Sequence, residues 1–204
     1  MSSPQDILQF WFDNLSDDQK IDKKSPVVKK WFTASPRIDE EIRARFENDY
    51  FAARRGELRE WEKSPQDRLA LIILFDQFSR NIYRNTPKAF ESDALALDLT
   101  LNSLKEEFDQ KLSLVQRIFM YMPLMHAEDL KMQALSVQEF TNLVEDSKIR
   151  SPQNTFYFEY NLDYARRHYE IISRFGRFPH RNKILGRVST LEEAQFLSVP
   201  SSAF

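Results

Sequence analysis

The sequence predicts an all-α protein, and three observations carry that prediction. Glycine is almost absent, with three in 204 residues, and strong helix formers such as Leu, Glu, Lys, Arg and Gln are abundant. Serine or threonine precedes proline at Ser3-Pro4, Ser35-Pro36, Ser64-Pro65 and Thr86-Pro87, each a capping hydroxyl beside a residue suited to the first helical position. Apolar residues recur three and four apart, and no run alternates with period two for long enough to make a strand. The pattern is weakest over Ser25 to Phe32.

Taken in order, Ile38, Ile42, Phe46, Tyr50 and Ala53 form one face of an amphipathic helix that starts after Ser35 and ends near Gly56. Leu69, Ile72, Ile73 and the run from Phe75 to Phe78 are apolar nearly all round, which predicts a central helix. Phe90, Ala94, Leu97, Leu101 and Leu104 make a stripe on the next helix. Leu114, Ile118 and Tyr121 begin another, which Pro123 is expected to break or kink. Leu130, Ala134, Val137 and Phe140 continue beyond that break, and Ser151-Pro152 marks a further one. Tyr157, Tyr160, Tyr164, His168, Ile171 and Phe175 give a long aromatic helix that stops at Gly176. Thr190 with Glu193 three residues later is a capping box for a short final helix. Short loops imply antiparallel neighbours, and the length predicts a single domain over residues 1–204.

Composition removes several function classes. There is no cysteine, so disulfides, thiolate metal sites and thiol catalysis are excluded. A net charge of −2 gives no global basic face for nucleic acid. No apolar run is long enough to span a bilayer, and the opening residues show no basic stretch followed by an apolar one, so a cytoplasmic protein is expected. No acid stands three before His126, His168 or His180, and no His-Glu-x-x-His string occurs, so neither a metal nor another cofactor is expected.

Three polar clusters interrupt the apolar surroundings. Asp76, Gln77, Arg80 and Asn81 end the central helix, with Asp76 and Arg80 four apart on one face. His126, Glu128 and Asp129 follow Pro123; if Pro123 opens a helix, they occupy its first turns. The third cluster runs from Arg174 to Arg187, includes Gly176 and Gly186, and carries Arg174, Arg177, His180, Arg181, Lys183 and Arg187 without one acid. Guanidinium groups bind carboxylates and phosphates bidentately, so Arg177, His180, Arg181, Asn182 and Arg187 are candidates for holding an anion. The structural alternative is that these cations neutralise Asp76, Glu128 and Asp129. His168 and the tyrosines from Tyr157 to Tyr160 read as core residues, and Lys29-Lys30 as a solvated face.

The clusters together resemble one family. Ile7 to Phe12, Trp31-Phe32, Gly56 to Trp61, Leu69 to Arg84, Phe119 to Pro123, His126 to Leu130 with Gln133, and His168 to Arg187 with Ser189-Thr190 and Glu193 are similar to bacterial domain of unknown function family 924. The resemblance implies a tetratricopeptide-like fold of helix pairs in a right-handed superhelix, and it implies no activity. Ser79 stands where that pattern has proline, and Ala127 where it has serine after the histidine; a serine nucleophile at that position is therefore excluded.

Two functional expectations follow. The first is a binding protein for a small anionic molecule or peptide carboxylate, with Asp76, Arg80, Asn81, Arg177, His180, Arg181, Asn182 and Arg187 at the site. The second is an acid–base enzyme, a hydrolase or lyase acting on an anionic metabolite, with His126 or His180 carrying the proton and Glu128 or Asp76 orienting it. The clusters are expected to converge in space, because polar groups among apolar helices need one another or water.

Overall fold

The computed structural model describes residues 1–199, and among them there is no strand. The α-helices are α1 (Pro4–Phe12), α2 (Pro26–Phe32), α3 (Pro36–Arg54), α4 (Pro65–Ile72), α5 (Ser79–Ile82), α6 (Asp93–Lys105), α7 (Leu114–His126), α8 (Leu130–Arg150), α9 (Thr155–Phe175) and α10 (Leu191–Leu197). Ser3, Ser25, Ser35 and Ser64 accept hydrogen bonds from the first turns of α1, α2, α3 and α4, each with proline at the next position. Thr86-Pro87 instead opens a single 3-10 turn with no side-chain cap. Ser25 to Phe32, the weakest stretch in the pattern, is helical because its cap and proline outweigh two adjacent valines.

Between α4 and α5 the backbone stays helical but widens into a π turn over Ile73–Phe78. The Ser79 amide bonds the Leu74 carbonyl, five residues back, while the Ser79 hydroxyl donates to the Phe75 carbonyl at 2.7 Å and the Ala89 carbonyl at 3.2 Å. A widened turn of this kind re-aims the residues it contains. Here it buries Asp76 completely while Gln77 meets a cleft.

Two expectations change at the next helices. α7 runs through Pro123 to His126 without stopping. Proline removes one ladder bond at the Phe119 carbonyl, but every α7 residue except Gln116 and His126 is buried, and packing holds the helix. The break falls at Ala127–Asp129, so His126 ends α7 and Asp129 caps α8 rather than both lying in one first turn. On α6 the buried face is Ala96, Leu99, Thr100 and Ser103, rotated from the predicted stripe; Ala94 is exposed. The Thr100 hydroxyl donates to the Met120 carbonyl of α7 at 2.9 Å, which small hydroxyls permit and leucines do not.

The core packs α1, α3, α6 and α7 around the α4–α5 helix, and α8 lies between α7 and α9. Trp31 fastens α2 to this core: its ring meets Phe119 edge-on at 4.9 Å and its indole N–H donates to the Trp11 carbonyl at 2.8 Å. Edge-to-face contacts add to burial itself. A smaller cluster of Ile171, Ile172 and Phe178, with Phe175 and Phe196, secures the segment after α9. Among the described residues no helix is long and apolar enough to cross a membrane.

Candidate functional site

A cleft of about 530 Å³ opens where α2, α5, α7 and α9 meet. Helical periodicity builds its walls. Gln77, Arg80 and Asn81 fall three and four apart and face it from the central helix, and Arg84 joins them from the turn after α5. Tyr157, Tyr160, Tyr164 and His168 do the same from α9, so the aromatic stripe that reads as core is a cleft wall whose Tyr157 and His168 are buried and whose Tyr160 is 42% exposed. α7 supplies Met122, Met125 and His126, and α2 supplies Lys29, Lys30, Trp31 and Phe32.

The floor carries the chemistry. Asp76 Oδ1 accepts a hydrogen bond of 2.7 Å from His126 Nδ1, and Arg80 Nη1 lies 3.1 Å from the same oxygen. Gln77 donates to the other carboxylate oxygen. Burial opposes ionisation of Asp76, but the Arg80 charge and His126 together hold its carboxyl well below the usual range. Arg80 also makes a fork with Asp93, at 2.9 and 3.1 Å. His168 donates from Nδ1 to the Tyr164 carbonyl at 2.8 Å, and burial followed by the neighbouring His126 pulls it down to about 3, so it is neutral at physiological pH.

The cleft is electrostatically one-sided. Lys23, Lys29, Lys30, Arg80 and Arg84 border it, and among the described residues no carboxylate does. Arg80 and Arg84 are neutralised from behind, by Asp93 and Asp39. Lys30 reaches the Phe10 carbonyl, and Lys23 sits 3.7 Å from the Tyr160 ring centre. Lys29 is exposed on the last turn of α2.

The arginine loop lies apart from this lining. Arg177 forks onto Glu193 at 2.6 and 2.8 Å, and Asn182 donates to the same carboxylate at 3.2 Å. Glu193 is buried, and the Arg177 hydrogen bond leads in holding it down to about 2. Arg187 forks onto Glu128 at 2.6 and 2.9 Å, and Glu128 also accepts from the Phe178 amide at 2.7 Å. Arg181 is buried between the rings of Phe90 and Phe178, with Nη1 3.5 Å from Asp93. His180 packs on Phe178, and burial followed by Arg181 brings it to about 4.

The clusters thus converge in part. Asp76, Arg80 and His126 meet directly, and Asp93 links Arg80 to Arg181. Glu128, Arg177, Asn182 and Arg187 form an adjoining network that fastens the loop and α10. Asn81 borders the cleft while its amide donates to Asp39 at 2.8 Å. The apparent cationic excess of the loop is taken up by Asp93, Glu192 and Glu193 as well as Glu128. Asp93 and Glu192 carry no local sequence signal beyond that of first-turn acids, and Glu193 reads as a helix cap. Gln133, also unassigned a role, is buried and donates to the Met125 and Ala127 carbonyls at 2.6 and 2.7 Å, closing the end of α7 beside His126.

Fold and site together define a helical protein whose cation-bordered cleft is lined by His126, with Asp76 buried behind it. Over residues 7–201 the chain matches the family described as bacterial protein of unknown function (DUF924), and it belongs to that family. It is also similar to the solved structure of a protein of unknown function, ATU0120, from Agrobacterium tumefaciens. The two are 34% identical, superpose with a TM-score of 0.77, and the match covers 96% of each chain. No curated protein matches the chain.

Proposed function

We propose that the cleft binds a small organic anion with an aromatic or apolar body. The observation that carries this reading is a lining that holds Lys23, Lys29 and Lys30 beyond the paired Arg80 and Arg84, with no carboxylate lining the cleft among the described residues. Electrostatic complementarity of that kind favours anions and disfavours cations. The volume falls within the roughly 300–1,000 Å³ of small-molecule sites, which combine apolar walls with few polar groups. Trp31, Phe32, Met122, Met125 and the α9 tyrosines supply those walls. Phe32 and Tyr160 are 54% and 42% exposed at the cleft, a costly arrangement for a surface with nothing to cover.

The loop residues Arg177, Asn182 and Arg187 have a supporting part in this reading, because their carboxylate and carbonyl partners already occupy them. Anilinonaphthalene sulfonate, a fluorescent aromatic anion, is a direct probe. The reading predicts one saturable site per chain, weakened about tenfold or more by Lys23→Glu with Lys29→Glu. Both lysines are exposed, so the double variant should keep its melting temperature. Unchanged affinity in that variant would refute the assignment.

A further inference from the structure

The hydrogen of the Asp76–His126 bond can be placed. Asp76 is buried and held ionised beside Arg80, so it has no proton to give, and His126 Nδ1 is the donor across their 2.7 Å contact. In neutral His126 the lone pair is then on Nε2. The side chain is 18% exposed and borders the cleft, with Nδ1 turned towards the buried carboxylate. An imidazole oriented by a buried carboxylate and partly exposed at a cleft matches the base-and-orienter half of an acyl-transfer site.

The nucleophile is decided by what borders the cleft. The chain has no cysteine, no serine borders the cleft among the described residues, and Thr33 lies at the exposed end of α2. Ala127 follows the histidine. Water, which needs no side chain placed for attack, is the nucleophile assigned to the open cleft.

We infer that His126 is a catalytic general base that activates water against a carboxylic ester carried by the bound anion. This rests on the anion-binding reading of the cleft. His126 Nε2 takes a proton from water as the water oxygen bonds to the acyl carbon. The ester C–O bond then breaks, and the departing alkoxide takes that proton from Nε2. Ester and water become acid and alcohol, and His126 returns to its starting state. Asp76 faces the imidazolium that forms in between and offsets its charge. The cleft cations hold a remote anionic group of the substrate, while the aromatic and methionine walls take its apolar part.

The test uses the full chain with mono(para-nitrophenyl) succinate, an ester bearing a free carboxylate. Its turnover should be saturable, should be inhibited by anilinonaphthalene sulfonate, should slow in heavy water, and should exceed that of neutral para-nitrophenyl acetate in kcat/KM. His126→Gln can still donate a hydrogen bond to Asp76 and should lower kcat about 100-fold or more while still binding the fluorescent anion saturably. Equal turnover in His126→Gln, equal kcat/KM for the acetate ester, or displacement of the probe without hydrolysis would each overturn the inference and leave the binding reading standing. Failure of the succinate ester to displace a bound probe would also overturn it. Failure of the probe to bind at all would instead overturn the binding reading, and the inference with it.

Discussion

Removal of the Arg181 side chain should destabilise the protein by about 3 kcal/mol, and the structure divides that cost. Loss of one partner from a buried ion pair is worth about 3–5 kcal/mol when the other charge is stranded. Asp93 is not stranded here: its side chain is 23% exposed and keeps both bonds to Arg80. The charge-related share is therefore nearer about 1–2 kcal/mol. The guanidinium also lies 4.7 Å from the Phe90 ring and 4.5 Å from the Phe178 ring, contacts worth about 1–2 kcal/mol together in a desolvated site. Burial, then the neighbouring Arg80, brings Arg181 down to about 10, so it stays charged at neutral pH. In a chain of this size about 3 kcal/mol lowers the melting temperature by about 6–12 °C. Arg181→Met supplies the control. It fills the space between the two rings and removes an Nε–H that has no hydrogen-bond partner among the described residues, so it should cost about 1 kcal/mol or less. Urea unfolding of both variants checks the division. A loss below about 1 kcal/mol in Arg181→Ala would refute a structural role for this arginine. Equal losses in the two variants would refute the part assigned to ring packing.

Two further predictions concern stability. Burial depresses His168 to about 3 and His180 to about 4 from an ordinary 6.5. Above 6.5 neither the folded nor the unfolded chain protonates them; below it the unfolded chain gains protons that the folded one refuses, so stability falls with pH. Two such groups predict a loss of about 2 kcal/mol between pH 6 and pH 5, which His168→Gln should roughly halve; denaturant midpoints that stay level from pH 7 to pH 5 would contradict it. Gly176 ends α9 at φ 68°, and among the described residues beyond its immediate chain surroundings no atom lies within 4 Å of where a Cβ would sit. Gly176→Ala therefore meets no clash and should cost only the left-handed conformation, about 1–2 kcal/mol, which a thermal melt resolves and an unchanged midpoint would deny.

Local chemistry was legible in the sequence. The Ser-Pro starts of α1, α3 and α4, the Gly176 stop and the Thr190–Glu193 box all depend on residues within four positions of one another. The chemistry of the first two clusters was legible as well, since Asp76, Arg80 and His126 do meet. Pairing over distance was not. Asp93 follows Ser92 at the start of α6 and reads as an ordinary first-turn acid. Nothing nearby announces that it bridges Arg80 and Arg181, 13 and 88 positions away. The α9 stripe was legible in part, since Tyr157 and His168 are buried as core residues while Tyr160 is exposed at the cleft. Period alone says that Tyr157, Tyr160 and Tyr164 share a face, and only the position of α2 decides whether that face is covered. The π turn has no period of its own in so apolar a run, and Pro123 stands inside a helix because burial on all sides outweighs one missing ladder bond.

Amide–nitrogen correlation NMR during titration with anilinonaphthalene sulfonate tests the central claim most directly, because it separates the cleft from the arginine loop. Binding in the cleft predicts saturable shifts at Lys29, Thr33, Asn81, His126, Tyr160 and Tyr164, and little change from Lys183 to Val188. Shifts centred on Arg177 to Arg187, with the cleft residues unmoved, would place the anion on the loop and contradict the account.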